Sequence, residues 1–172
     1  MIGGRDLHRV AIALGSNLGD RAAHLAWAVR ALETQIEHLR VSPAAETAPA
    51  GVPDQQPDYL NAVAVGDTRL TPRALLEWLL RLEAARGRVR TGPKAARTLD
   101  LDLILYDGAV IDEPDLIVPH PRYRDRAFVL EPLARLAPRW RDPRTGETLA
   151  GLWRAHRLPG RGKAADVRAR RR

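Results

Sequence analysis

Large apolar residues recur along this chain with two different spacings, and their alternation predicts the order of its elements. Val10-Ala11-Ile12-Ala13-Leu14 alternates large and small apolar residues up to Gly15 and predicts a first strand. Gly15 to Asp20 reads as a turn whose Asp20 caps a helix, and Leu25, Val29, Leu32, Ile36 and Leu39 then fall on one helical stripe. A second strand is expected within residues 40–47, a loop rich in Pro, Gly and Gln over 48–58, and a third strand over Tyr59 to Val65. Thr71-Pro72 is an N-cap followed by proline at the first helical position. Leu75, Leu76, Leu79, Leu80 and Leu82 make the helix after it amphipathic, and Gly87 stops it.

Residues 88–96 carry three basic side chains with Gly92 and Pro93, which predicts an exposed, mobile loop leading into the strand Arg97-Thr98-Leu99-Asp100-Leu101-Asp102-Leu103-Ile104-Leu105-Tyr106. Successive strand side chains point to opposite faces, so Leu99, Leu101, Leu103 and Leu105 are expected on one face and Asp100 and Asp102 on the other. Asp107-Gly108 signals a hairpin with Val110-Ile111 as its returning arm. Pro119, Pro121, Pro132 and Pro138 leave room only for short helices beyond it. The order βαββαβ plus a C-terminal extension predicts an α+β, ferredoxin-like sandwich, a mostly antiparallel sheet with helices on one face.

Composition narrows this picture. A chain of 172 residues fits one domain, placed at 1–160, with no room for a second enzyme of ordinary size. It has no cysteine, so disulfides, thiolate nucleophiles and cysteine-based zinc sites are excluded. No apolar run reaches the roughly 18 residues a membrane span needs, and the start lacks a signal-peptide core, so a soluble, cytoplasmic protein is expected. The net charge of +7 suggests nucleic acid until it is located. Residues 161–172 hold six basic side chains against one acidic, leaving +2 for the rest, so the excess belongs to a tail expected to be disordered.

The aspartate pair is the chemical oddity, because Asp is depleted in strands. Side chains two apart in a strand lie roughly 6.5–7 Å apart along the chain, close enough for their carboxylates to converge on bound cations. Two readings fit: solvent-facing carboxylates paired with nearby arginines, or ligands for Mg²⁺, which is usually held by one or two carboxylates plus substrate phosphates. There is no phosphate-binding G-x-x-x-x-G-K-[ST] loop, no serine nucleophile elbow and no H-E-x-x-H pattern. What the chain offers is Glu83, Arg88, Arg90, Arg97, Asp100, Asp102, His120, Arg122, Arg124 and Arg126, a set suited to a polyphosphate.

Four segments carry a specific resemblance: Ala13-Leu14-Gly15-Ser16-Asn17-Leu18-Gly19-Asp20; Asp54-Gln55-Gln56-Pro57-Asp58-Tyr59-Leu60-Asn61; Arg97-Thr98-Leu99-Asp100-Leu101-Asp102; and Val118-Pro119-His120-Pro121-Arg122 with Arg126-Ala127-Phe128. In this order they resemble the 6-hydroxymethyl-7,8-dihydropterin pyrophosphokinase family of folate biosynthesis, which transfers pyrophosphate from ATP to a pterin alcohol. The resemblance implies that Asp100 and Asp102 hold two Mg²⁺ ions on the triphosphate, and that the pterin hydroxyl attacks the β-phosphorus with AMP leaving. It implies catalytic roles for Arg88 and Arg97 as loop arginines, and ATP contacts from Glu83, Arg88, Arg97, Leu103, His120, Tyr123 and Arg126. The pterin is expected among Thr47, Ala48, Ala50, Tyr59, Asn61 and Phe128. Small-molecule substrates, no membrane or specific nucleic-acid partner, and a monomer or weak dimer complete the expectation.

One departure stands out: Lys94-Ala95-Ala96 precedes Arg97 where the family often carries an aromatic-Gly-Pro triplet. Three alternatives share parts of the pattern. An RNA-recognition module has the same element order, but it needs exposed aromatics on its central strands, and this chain has one Phe and three Tyr with no such run. Another metal-dependent nucleotidyl or phosphoryl transferase would use the same aspartate pair and differ only at the pterin residues. A homologue that binds nucleotide without turnover is the third.

Overall fold

The computed structural model describes residues 6–49, 57–87 and 96–158. In chain order these form β1 (His8–Ser16), α1 (Arg21–Leu32), β2 (Ile36–Val41), β3 (Ala45–Thr47), β4 (Tyr59–Thr68), α2 (Pro72–Ala85), β5 (Asp100–Tyr106), β6 (Ile111–Glu113), β7 (Leu116–Val118), a 3₁₀ turn (Tyr123–Asp125), α3 (Ala127–Leu136) and α4 (Leu149–His156). The main sheet runs β2-β4-β1-β5 with β3 also on β4, and every pairing in it is antiparallel. With β2 and β3 taken as one interrupted strand, this is the βαββαβ order expected of a ferredoxin-like sandwich.

Both helix starts follow from their caps. Asp20 accepts the Ala23 N–H at 2.9 Å, and Thr71 accepts the Ala74 N–H at 3.3 Å ahead of Pro72. Gly87 ends the second helix with φ of 76°, a conformation that glycine adopts without strain. The first helix is shorter than its apolar stripe suggests. It stops at Leu32, a turn over residues 33–35 follows, and Ile36 and Leu39 belong to β2. Ile36 is still buried in the same core as Leu25 and Leu32, so the spacing is satisfied equally by a helix or by a turn into a strand.

The strand expected within 40–47 is divided. Pro43 has no N–H to give to a ladder, and Ser42 closes the gap, with its N–H on the Val63 carbonyl at 2.8 Å and its Oγ accepting the Val63 N–H at 3.0 Å.

The alternation along β5 also fails at one point. Ala11 pairs with Leu105 but Ile12 pairs with Leu103, so Ile104 and Leu105 together face one partner residue in a bulge. Leu99, Leu101 and Leu103 pack under α1 and α2 as expected, whereas Leu105 turns to the opposite face with Ile104. Asp107-Gly108 does not start a hairpin on β5. The Asp107 N–H still bonds the Arg9 carbonyl at 2.7 Å and its carboxylate takes the Arg9 N–H, so the chain keeps to β1; Ile111 pairs instead with Val118 in a separate two-stranded sheet.

Helices cover both faces of the sheet, not one. Val10, Ile12, Leu14, Ala62 and Ala64 pack with α1 and α2, while Ala11, Val63 and Val65 pack with Val129, Leu130 and Leu133 of α3 and Leu149 and Leu152 of α4. The short helices of the extension are this second layer. Pro132 lies inside α3 and cannot donate the bond that the Phe128 carbonyl would otherwise receive.

Candidate active site

The two aspartates point to the same sheet face as α3, but at the strand end that α3 and α4 leave uncovered. Residues directly opposite in antiparallel strands share a face, so register alone builds a row: Asp100 on β5 opposes Gly15 on β1, and Gly15 opposes Asn61 on β4. Asp102 lies one step along, opposite Ala13 and then Val63, and Tyr59 sits opposite Thr47 beyond Asn61. Gly15 leaves a gap in the middle of the row. A Cβ there would stand 3.0 Å from the Asn61 Oδ1, 3.8 Å from the Tyr59 ring and 3.9 Å from the Asp100 Cβ. A shallow trough therefore separates an acidic side from an amide and aromatic side.

On the acidic side, two arginines and a histidine gather on the carboxylates. The Arg97 Nη1 is 2.7 Å from the Asp100 Oδ2, while the Arg126 Nη1 and His120 Nε2 lie 3.6 and 3.9 Å from the Asp102 Oδ2. Burial works against the Arg97 charge, but Asp100 outweighs it and raises the guanidinium pKa. Arg126 is lowered, first by burial, which outweighs the pull of Asp102, with Arg122 and Arg97 adding to it. A cation held in a partly dry, positive setting gains more from an arriving anion than one already neutralised. Burial pushes His120 down to about 4, and Arg126 and Arg122 push the same way, so the ring is neutral at pH 7. Its Nδ1 accepts the Arg122 N–H at 3.2 Å, which places the ring proton on the Nε2 that faces Asp102.

On the other side the Asn61 Nδ2 donates to the Thr47 Oγ1 at 2.7 Å, so its Oδ1 is aimed over Gly15. Phe128, half-buried at the start of α3, has the Arg126 guanidinium 5.9 Å from its ring centroid and packs against the second core. Ala48 is exposed nearby in sequence, whereas Ala50 and Arg88 lie outside the described residues.

Three residues expected at the nucleotide sit elsewhere. Glu83 is 2% exposed, and its Oε1 accepts the Leu101 N–H at 2.7 Å on the outer edge of β5, between the two aspartates. The Leu103 side chain is buried under the helices on the face opposite Asp102. Tyr123 is fully buried in the second core, with its hydroxyl donated to Asp142. All three side chains are packed inside the protein and leave little surface to offer a ligand.

Asn17 is the reverse case, read from sequence as part of a turn and of a resembling segment but not among the site residues. It is 1% exposed, its Oδ1 accepts the Arg97 N–H at 2.6 Å, its own N–H bonds the Arg97 carbonyl at 3.0 Å and its Nδ2 reaches the Pro57 carbonyl at 3.4 Å. It clasps the approaches to both sides of the trough. The available signal was an amide directly after a buried strand, since a buried amide must find partners.

Among the described residues no cluster of three or more His, Asp and Glu side chains could hold a metal unaided. Two carboxylates on one face, with substrate phosphates completing the shell, still match the way Mg²⁺ is commonly bound. No helix among the described residues is long and apolar enough to cross a membrane.

Comparison with known proteins gives the chain a family and its fold a counterpart. Residues 11–138 match the family model described as 7,8-dihydro-6-hydroxymethylpterin-pyrophosphokinase. The chain is 44% identical over 139 residues to the 2-amino-4-hydroxy-6-hydroxymethyldihydropteridine pyrophosphokinase of Methylorubrum extorquens, covering 76% of this chain and 83% of that one. It is 43% identical over 162 residues to the protein of the same name from Pseudomonas aeruginosa, covering 90% and 99%. Among solved structures, wild-type Plasmodium falciparum HPPK-DHPS with pterin and p-hydroxybenzoate superposes with a TM-score of 0.71 at 14% identity. That likeness, over 90% of this chain and 44% of the Plasmodium chain, concerns the fold alone.

Proposed function

The chain belongs to the 7,8-dihydro-6-hydroxymethylpterin-pyrophosphokinase family, and we propose that it transfers the pyrophosphoryl group of ATP to 6-hydroxymethyl-7,8-dihydropterin in folate biosynthesis, forming the pterin diphosphate and AMP. The observation that carries this reading is the row Asp100, Gly15, Asn61 across three neighbouring strands, with a gap at the glycine. It brings an acidic side and an amide and aromatic side within reach of one another, which supports phosphates on one and a heterocycle on the other.

In this reading the pterin ring lies between Tyr59 and Phe128, near Thr47, Ala48 and Ala50, with its polar edge on Asn61. A planar, amide-like ring suits aromatic faces and a paired edge. The triphosphate lies along Asp100 and Asp102, which supply oxygen ligands for two Mg²⁺ ions. Magnesium, when bound, offsets charge on the triphosphate oxygens and holds them for in-line displacement. Arg97 and Arg88 contact the phosphates, and Arg126 meets them from the start of α3. His120 offers a neutral Nε2–H donor. The pterin hydroxyl oxygen forms a bond to the β-phosphorus as the bond from that phosphorus to the AMP oxygen breaks, and the hydroxyl proton leaves to solvent. Phosphoryl transfer of this kind needs positioning and charge compensation more than a protein nucleophile. Glu83, Leu103 and Tyr123 shape the site from behind without touching ATP.

The proposal includes a cytoplasmic protein, monomeric or weakly dimeric, that works on small molecules without a membrane or specific nucleic-acid partner. It is tested by following AMP release from ATP and Mg²⁺ with and without the hydroxymethylpterin. AMP is expected only when the pterin is present; release that ignores the pterin, or none at all, refutes the reading.

A further inference from the structure

The turn from His120 to Arg126 is held at its ends, where the His120 N–H bonds the Ile104 carbonyl at 3.0 Å and the Arg126 carbonyl accepts the Val129 and Leu130 N–H groups at 3.0 and 2.9 Å, but its middle has little of its own. Its backbone bonds are long, Tyr123 N to His120 O at 3.3 Å, Asp125 N to Arg122 O at 3.2 Å and Arg126 N to Tyr123 O at 3.4 Å, and no side chain caps it. Its middle is fixed instead by Asp142, a fully buried carboxylate from the stretch between α3 and α4. One carboxylate oxygen accepts both the Tyr123 hydroxyl and the Arg124 Nε–H. The other accepts the Arg144 and Thr145 N–H groups at 2.7 and 3.0 Å. The carboxylate is thus locked from its own side as well, in a loop closed by the bridge between Arg141 and Thr148. Burial works to raise its pKa, but Arg124, Tyr123 and the Thr145 and Arg144 N–H groups bring it down to about 2, so it is an anion throughout the neutral range.

A buried charge must be paired, so this anchor is tight where the turn's own bonds are weak. Tyr123 lies midway in sequence between His120 and Arg126, the two residues that face Asp102. Asp142 lies beyond residues 11–138, the stretch that matches the family model. We propose that Asp142 is a positioning residue: through Tyr123 and Arg124 it sets His120 and Arg126 at the distance from Asp102 that the triphosphate needs. This inference rests on the pyrophosphokinase reading, because it assigns the phosphate side of that same site.

Two variants of the full-length chain test it. Tyr123→Phe removes one hydroxyl and keeps the ring in the core; Asp142→Asn keeps the shape and the backbone bonds while removing the charge. The measurements are kcat, the separate KM values for ATP and pterin, thermal unfolding, and calorimetric binding of Mg²⁺ with a non-transferable ATP analogue bearing a methylene between the α- and β-phosphorus. The expected result is an analogue affinity and a KM for ATP each about tenfold weaker, the usual scale for losing an outer-shell support. Pterin binding to the nucleotide-free protein stays within twofold. An anchor that serves only stability would lower the melting temperature and the active fraction while leaving the analogue affinity at its wild-type value, and that result overturns the proposal. If Asp142→Asn does not fold, Tyr123→Phe decides by the same criteria. If the wild type releases no AMP with the pterin, the functional reading falls, and analogue calorimetry on the two variants still decides whether the turn is positioned by Asp142.

Discussion

Gly15→Ala separates ligand binding from stability with a single methyl group. Gly15 lies in β1 with φ outside the left-handed region, so alanine can adopt its backbone without strain. Replacing a compatible glycine restricts the unfolded chain and is worth about 0.4–1 kcal/mol. Against this, the new Cβ would stand 3.0 Å from the Asn61 Oδ1. The amide oxygen must retreat by a few tenths of an ångström, and it is resisted by the 2.7 Å bond from the Asn61 Nδ2 to Thr47. Overpacking of that kind costs about 1 kcal/mol or slightly more. The two terms nearly cancel, so the melting temperature should move by no more than about 4 °C.

Binding has no such compensation. The methyl occupies the trough between Asn61 and Asp100 and displaces the amide on which the pterin edge is proposed to pair. A site that loses one such pairing discriminates less by about 1–3 kcal/mol, or roughly 5-fold to 150-fold in KM for the pterin. The Asp100 Cβ, at 3.9 Å, is in ordinary contact, so the KM for ATP should change much less. Steady-state kinetics with each substrate varied, together with a thermal melt, reads both sides. A pterin KM within twofold of wild type in a normally folded variant would show that the trough is not where the heterocycle binds.

Asp102→Ala should lose turnover by several orders of magnitude, since charge compensation in phosphoryl transfer is commonly worth that much, while circular dichroism stays native; near-normal kcat would remove Asp102 from the chemistry. Glu83→Ala should lower stability in urea unfolding by about 1–3 kcal/mol by stranding the buried Leu101 N–H, with Glu83→Gln, which keeps an acceptor, losing less; equal losses would dismiss the hydrogen bond as the cause. His120 titrates near 4 when folded against 6.5 in the free side chain, so the unfolded chain takes up a proton first as pH falls. Stability from this group is therefore complete above pH 6.5 and declines by about 2 kcal/mol between pH 7 and 5; a His120→Gln variant with the same decline would assign it to other groups.

How much of this was legible in the sequence depended on whether neighbours along the chain or partners across the sheet decide each feature. Asp20 and Thr71 cap their helices through bonds to residues three positions on, so both starts could be read locally. The placement of Asp100 and Asp102 on one face followed from strand alternation up to Leu103. Leu105 escaped because its direction is set by the bulge opposite β1, which no local pattern records. Ile36 escaped for a different reason: it stays in the core whether helix or strand, so hydrophobic spacing is silent about where α1 ends. At the site, residue type announced charge but not its destination. Arg97 reaches Asp100, three residues on in the same segment, whereas Glu83 and Tyr123 are drawn inward by partners, Leu101 and Asp142, that only the fold brings near.

The outer side of β5 has a consequence for how copies of this molecule meet. β5 is the last strand of its sheet, and an exposed last strand is a template for pairing with another chain. Here the Leu101 N–H is taken by Glu83 at 2.7 Å and the Ile104 carbonyl by the His120 N–H at 3.0 Å. A strand from a second molecule would have to evict both before it could add to the sheet. The margin that carries the aspartates is thereby closed to sheet extension by another copy.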